Sequence, residues 1–224
     1  MNLIALDDKI RTLRDEANNL KSDVYALLSS DFTKYPNNYN HHANEAHIRA
    51  EKMALKLREI LPCTTNVSRI DFMSEIAHEL KILICDKEDL TITFPALIPR
   101  RKYNLKNIIC EPLDAALSIY STKRMLDNNP IVKFGECIIC VTHYFDRNLT
   151  ANGRVRDIDG IEMESIINTI TPYLLTDDSG TYCSFFHTGK SADSDSTKIT
   201  ILEKHRFNNW LSMNMILENV DDLV

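Results

Sequence analysis

Residues 131–145, IVKFGECIICVTHYF, decide the fold. The run is apolar on both alternating faces around Gly135, which predicts a long strand covered on both sides and therefore central in its sheet. It also contains Cys137-Ile-Ile-Cys140, a C-x-x-C by spelling. Residues three apart on a strand point to opposite faces, so these thiols are expected to pack separately and share no metal. Upstream, Asn128-Asn129-Pro130 stops a helix that opens at Pro112 and presents Leu113, Ala116, Leu117 and Tyr120. Before it, residues 90–98 (LTITFPALI) alternate like a strand. Pro95 and Pro99 confine that strand to a sheet edge or make it leave the sheet early. Downstream, residues 147–153 read as a turn and 160–170 as a helix closed by Pro172. Residues 181–187 and 198–203 read as strands around a polar loop, 188–197. A last helix, 207–219, turns Phe207, Trp210 and Leu211 inward. The order β-α-β-α-β-β-α is that of an α+β domain, a mixed sheet with flanking helices.

The first third has a different period. Leu3, Leu6, Ile10, Leu13, Ala17, Leu20, Val24 and Leu27 recur every three or four residues, the seam of a helix packed on another at a shallow angle. Residues 29–42, with Pro36, three Asn and three aromatics, read as a long connection. A second seam runs through Ala46, Ala50, Met53, Leu57 and Ile60 and ends at Pro62. A third follows Ser68, an N-cap with Asp71 three residues on, and runs from Ile70 through Met73, Ala77 and Leu80 to Ile84. Residues 1–88 are thus expected to form a helical bundle or coiled-coil segment, and 89–224 the α+β domain. Helix seams of this kind serve internal packing or dimerisation. His41, His42, Glu45 and His47 do not share one helix face, so a solvated helix start is expected there rather than a metal site.

The 224 residues carry 26 Lys and Arg against 32 Asp and Glu, net −6. The balance is even along the chain, 12 against 15 up to residue 89 and 14 against 17 beyond it, so any nucleic-acid surface is expected to be local. Ordinary apolar content argues against wholesale disorder. No apolar run approaches about 18 residues, and Met1–Leu13 lacks an export signal, so the expectation is a cytoplasmic chain away from membranes. The six cysteines are scattered, as expected of reduced thiols. No phosphate-cradling P-loop and no G-x-S-x-G elbow occurs, so no nucleotide cofactor is expected.

Chemistry is concentrated in Arg154-Val155-Arg156-Asp157-Ile158-Asp159 and in Asp177-Asp178. The first opens a helix and the second follows it. Carboxylates converging without His or Cys suit a hard cation, Mg²⁺ or Mn²⁺, able to activate water on a phosphodiester. Asp is also common in turns and at N-caps.

Residues 90–204 resemble the RusA-type Holliday-junction resolvases. That family has an opening strand ending in prolines, a helix and a long strand. A basic run then leads into D-x-D-N-x-x-K, followed by a helix, D-D and the closing strands. Asp178 follows Asp159 by nineteen residues, as in the family. The resemblance implies a dimeric, divalent-metal endonuclease for branched DNA. It implies Asp157, Asp159 and Asp178 as catalytic metal carboxylates with Asp177 nearby, and Arg154 and Arg156 facing phosphates. Arg100, Arg101, Lys102, Lys106 and Lys190 complete the expected DNA-binding set. Two departures stand out: Gly160 replaces the motif Asn, and Met163 the motif Lys. A Met cannot neutralise a scissile phosphate; Lys190, His187 or Arg156 could supply that charge. The rival expectation is a non-catalytic DNA- or protein-binding accessory of a mobile element.

Overall fold

A strand buried on both faces needs partners on both edges, and Cys137–Asp146 (β3) has them. The computed structural model describes residues 3–64, 68–86, 89–98, 107–131, 133–148 and 163–215. Among these, β3 lies between Cys183–Ala192 (β4), parallel to it, and Ser196–Glu203 (β5), antiparallel. Leu90–Phe94 (β2) adds to β5 and Leu83–Cys85 (β1) to β2, both antiparallel. The sheet order is β1-β2-β5-β3-β4. The helices are Leu3–Ser29 (α1), Pro36–Thr64 (α2), Arg69–Glu79 (α3), Asn107–Leu126 (α4), Met163–Leu174 (α5) and Phe207–Met215 (α6). The chain is α+β, with the expected order of elements from β2 onward.

The chain divides into two compact units, residues 1–72 with 102–108 and residues 73–101 with 109–224. In the first, α1 and α2 form an antiparallel hairpin. Glu16 pairs with Lys56 at 3.3 Å, Asp23 with Arg49 at 2.9 Å, and Lys9 with Glu59 at 3.1 Å. His42 Nδ1 lies 3.3 Å from Asp23, so this histidine is tied to α1 rather than solvated. Turning Glu16 and Asp23 towards α2 rotates the apolar seam partly away from it. Leu6, Leu13, Ala17, Leu20 and Leu27 are half-buried, while Ile10 and Val24 stay exposed. The fully covered seam that the period predicts is therefore not formed within the hairpin.

Several boundaries differ from expectation. The connection after α1 is short, because Pro36 opens α2; its fixed φ and missing N–H suit a first helical turn. Asp31 organises the link, accepting from Thr33 N at 2.9 Å and Thr33 Oγ1 at 2.6 Å. Helix α2 continues two residues past Pro62, since Cys63 and Thr64 still have N–H groups for the ladder. Ser68 does cap α3, with Asp71 N donating to Ser68 Oγ at 3.2 Å. The third seam stops at Glu79, and Ile84 belongs to β1. Lys81, at φ 52°, closes the helix: Ile82 N reaches Ala77 O at 3.0 Å and Lys81 N reaches His78 O at 2.9 Å. This is a Schellman cap built without glycine.

Pro112 lies inside α4, not at its start. The carbonyl it leaves unserved, that of Ile108, accepts from Arg58 at 3.1 Å instead. Asn128, at φ 53°, ends α4 as expected, with Asn129 N on Arg124 O at 2.9 Å. Strand β2 leaves the sheet before Pro95 and is not an edge strand. Strand β3 begins at Cys137 rather than residue 131, because Phe134 bridges instead to Leu175 beyond α5. Helix α5 runs through Pro172 to Leu174. The loop expected at 188–197 shrinks to 193–195: β4 is an edge strand, and its polar residues face solvent rather than break the strand. That short link passes over the end of β3, where Asp146 N donates to Asp195 Oδ1 at 2.9 Å and Arg147 N to Ala192 O at 2.8 Å.

One sheet face carries Leu90, Ile92, Phe94, Ile139, Val141, Ile199 and Ile201, all buried. The stripes of α4 (Leu113, Leu117) and α5 (Ile166, Ile170, Leu174) are equally buried, and Tyr173 OH joins the helices by donating to Asp114 at 2.9 Å. On the other face α6 covers Cys140 and Leu202 with Trp210, Phe207 and Leu211, the inner face read from the sequence. Cys137 and Cys140 lie on opposite faces, as strand geometry requires.

Candidate functional site

Parallel neighbours such as β3 and β4 need a crossover, and α5 provides it. Residues 149–162 follow the carboxyl end of β3, and Asp177-Asp178 stands where α5 returns to β4. Asp177 stays charged to lower pH than an ordinary carboxyl because Ser179 N donates to its Oδ1 at 2.6 Å. Its carbonyl accepts from Cys183 Sγ at 3.2 Å, which fixes the turn to the first residue of β4. The Asp178 side chain is exposed.

Of the expected acidic set, the structure describes Asp177 and Asp178. Arg154, Arg156, Asp157, Asp159 and Gly160 lie outside the described residues, as do Arg100, Arg101, Lys102 and Lys106. Met163 opens α5 and is half-buried. Lys190 is committed elsewhere: its Nζ donates to the Asn214 carbonyl on α6. Among the described residues no group of three or more His, Cys, Asp or Glu is placed to hold a metal ion.

The register of β3 and β4 places two histidines on the sheet face opposite Lys190. The rings of His143 and His187 are 6.3 Å apart. His143 is buried, with Nδ1 3.2 Å from Thr197 Oγ1, and that hydroxyl donates to Ala96 O at 3.0 Å. Having given away its proton, Thr197 accepts, so His143 Nδ1 carries the hydrogen. Burial pushes the His187 pKa down, and its Nδ1 has no hydrogen-bond partner among the described residues. Sequence reading missed this pair because strand alternation assigns a face within one strand, not between two. The missing signal was the parallel register, which sets Val141 beside His187. Gly189 lies next to this pair, where a Cβ would stand 2.8 Å from the Phe145 ring.

The fold and these side chains define an α+β protein whose parallel β3–α5–β4 unit carries an acidic turn at one end. The chain belongs to a family of unknown function, DUF6100, which matches residues 3–222. No curated protein and no solved structure matches it. Among the described residues no helix is long and apolar enough to cross a membrane.

Proposed function

We propose that the protein is a divalent-metal-dependent endonuclease of RusA layout, acting on branched DNA such as a Holliday junction as a homodimer. The observation that carries this reading is the order strand β3, acidic segment 157–159, helix α5, Asp177-Asp178, strand β4. Asp157, Asp159 and Asp178 would hold Mg²⁺ or Mn²⁺, with Asp177 beside them. This donor set is all carboxylate oxygen and fits a hard cation. When bound, such an ion supplies an activated water and charge stabilisation for the phosphodiester. Arg154, Arg156 and the cations at 100–106 would position the backbone of the nucleic acid. The test is cleavage of branched and linear DNA with Mg²⁺, with EDTA, and with Asp159→Asn. Cleavage that survives EDTA or the substitution removes the carboxylate-metal mechanism.

Met163 favours a second reading, a non-catalytic DNA- or protein-binding accessory. A methionine at the first position of α5 leaves no cation there to meet a phosphate. If Met163→Lys confers Mg²⁺-dependent cleavage on an inactive wild type, the endonuclease layout is intact and only this charge was lost. If the variant is silent too, the accessory reading takes the lead.

A further inference from the structure

We propose that Cys137 and Cys183 are a paired-thiol modification site, which a hydroperoxide closes into a disulfide stapling edge strand β4 to β3. The two residues are exact register partners on parallel strands. Neighbouring strands run about 4.8 Å apart, within the Cα separation that disulfides bridge. The sulfurs already face each other at 3.1 Å, and both side chains are buried. The surroundings hold them in place: Cys137 N donates to Tyr182 O at 2.9 Å and Cys183 N to Ser179 O at 2.9 Å. The turn between Asp177 and Cys183 is otherwise exposed, so opening at the start of β4 uncovers Cys183 first.

The chemistry balances with a hydroperoxide as oxidant. The Cys183 thiolate attacks a peroxide oxygen, the O–O bond breaks, and a sulfenic acid forms with release of water or an alcohol. Cys137 sulfur then attacks the Cys183 sulfur. The S–S bond forms, the S–O bond breaks and water leaves. Two thiols are oxidised and one peroxide is reduced. Burial, and after it the neighbouring Cys183 thiol, push the Cys137 pKa well up, so closure is slow at neutral pH and quickens as the solution becomes alkaline. The four other cysteines take no part, and Cys140 on the opposite face is the internal control.

The experiment treats the folded protein with hydrogen peroxide at mildly alkaline pH, quenches with a thiol-alkylating reagent, and maps peptides by mass spectrometry. A linked Cys137–Cys183 peptide, a loss of about 2 Da and reversal by dithiothreitol are expected. The reduced and oxidised forms should differ in hydrogen exchange at the start of β4. Cys140→Ser should still close the bridge, and Cys183→Ser should not. The idea is overturned if folded wild type yields no such linkage while its thiols become sulfinic acid. It is equally overturned if the linkage joins other cysteines or two chains. Because wild type alone gives the decisive peptide, a variant that misfolds does not weaken the test.

Discussion

Arg58 repairs what Pro112 removes. The proline withholds the N–H that would meet the Ile108 carbonyl, and the guanidinium takes that place. Arg58→Ala should therefore cost about 1 kcal/mol in urea unfolding, the net worth of a hydrogen bond to a half-buried carbonyl. Pro112→Ala restores an N–H to α4, so it should recover part of that loss in the Arg58→Ala background, a coupling that a double-mutant cycle reads. His187 supplies a pH dependence. Its pKa is lowered on folding by burial, so the unfolded chain takes up the proton at higher pH than the folded one. The stability from keeping this ring neutral is full above the unfolded value near 6.5. It falls as pH drops through that value towards the folded pKa. Between about pH 7 and pH 5 the melting temperature of wild type should fall more than that of His187→Gln.

Helix ends show where local chemistry reached and where it failed. Asn128 was readable as a stop because asparagine tolerates the left-handed region. Lys81 takes the same backbone conformation with no such advertisement, so the apolar spacing runs on to Ile84 past the end of the helix. Lys81→Gly should stabilise the protein by roughly 0.5–1 kcal/mol, the left-handed penalty relieved less the extra freedom of the unfolded chain; the urea midpoint checks it. On α6, Trp210→Ala should cost about 3–5 kcal/mol, because the indole seals Cys140 and Leu202. The inner face of α6 and the interior position of β3 were legible because burial writes itself into apolar spacing. Strand pairing was not, since nothing local to residues 188–192 says that a polar stretch lies on a sheet edge. The candidate site divides the same way. Asp177 could be read as a turn residue and is one, with Ser179 as its partner. The histidine pair and the thiol pair both arise from the β3–β4 register, which no short window contains.

Across the whole chain, metal binding should announce itself as stability. If the acidic set holds Mg²⁺, adding the ion raises the melting temperature by mass action, and Asp159→Asn should lose that rise. The same melting curve in both proteins would remove the metal from the proposal without any appeal to cleavage. The link at 193–195 carries a consequence of another kind. Strands β4 and β5 are joined by three residues yet lie on either side of β3. They cannot zip together first as a hairpin, the fast route usually open to sequential strands. The pair must receive β3 between them, and β3 reaches that place only with the whole chain between β3 and β4 set aside from the sheet. For these three strands the search is therefore long-range, and topology of that sort slows folding towards the millisecond-to-second regime. In stopped-flow refolding strands β3, β4 and β5 should appear as one late, cooperative event, with the β4 edge arriving together with the centre.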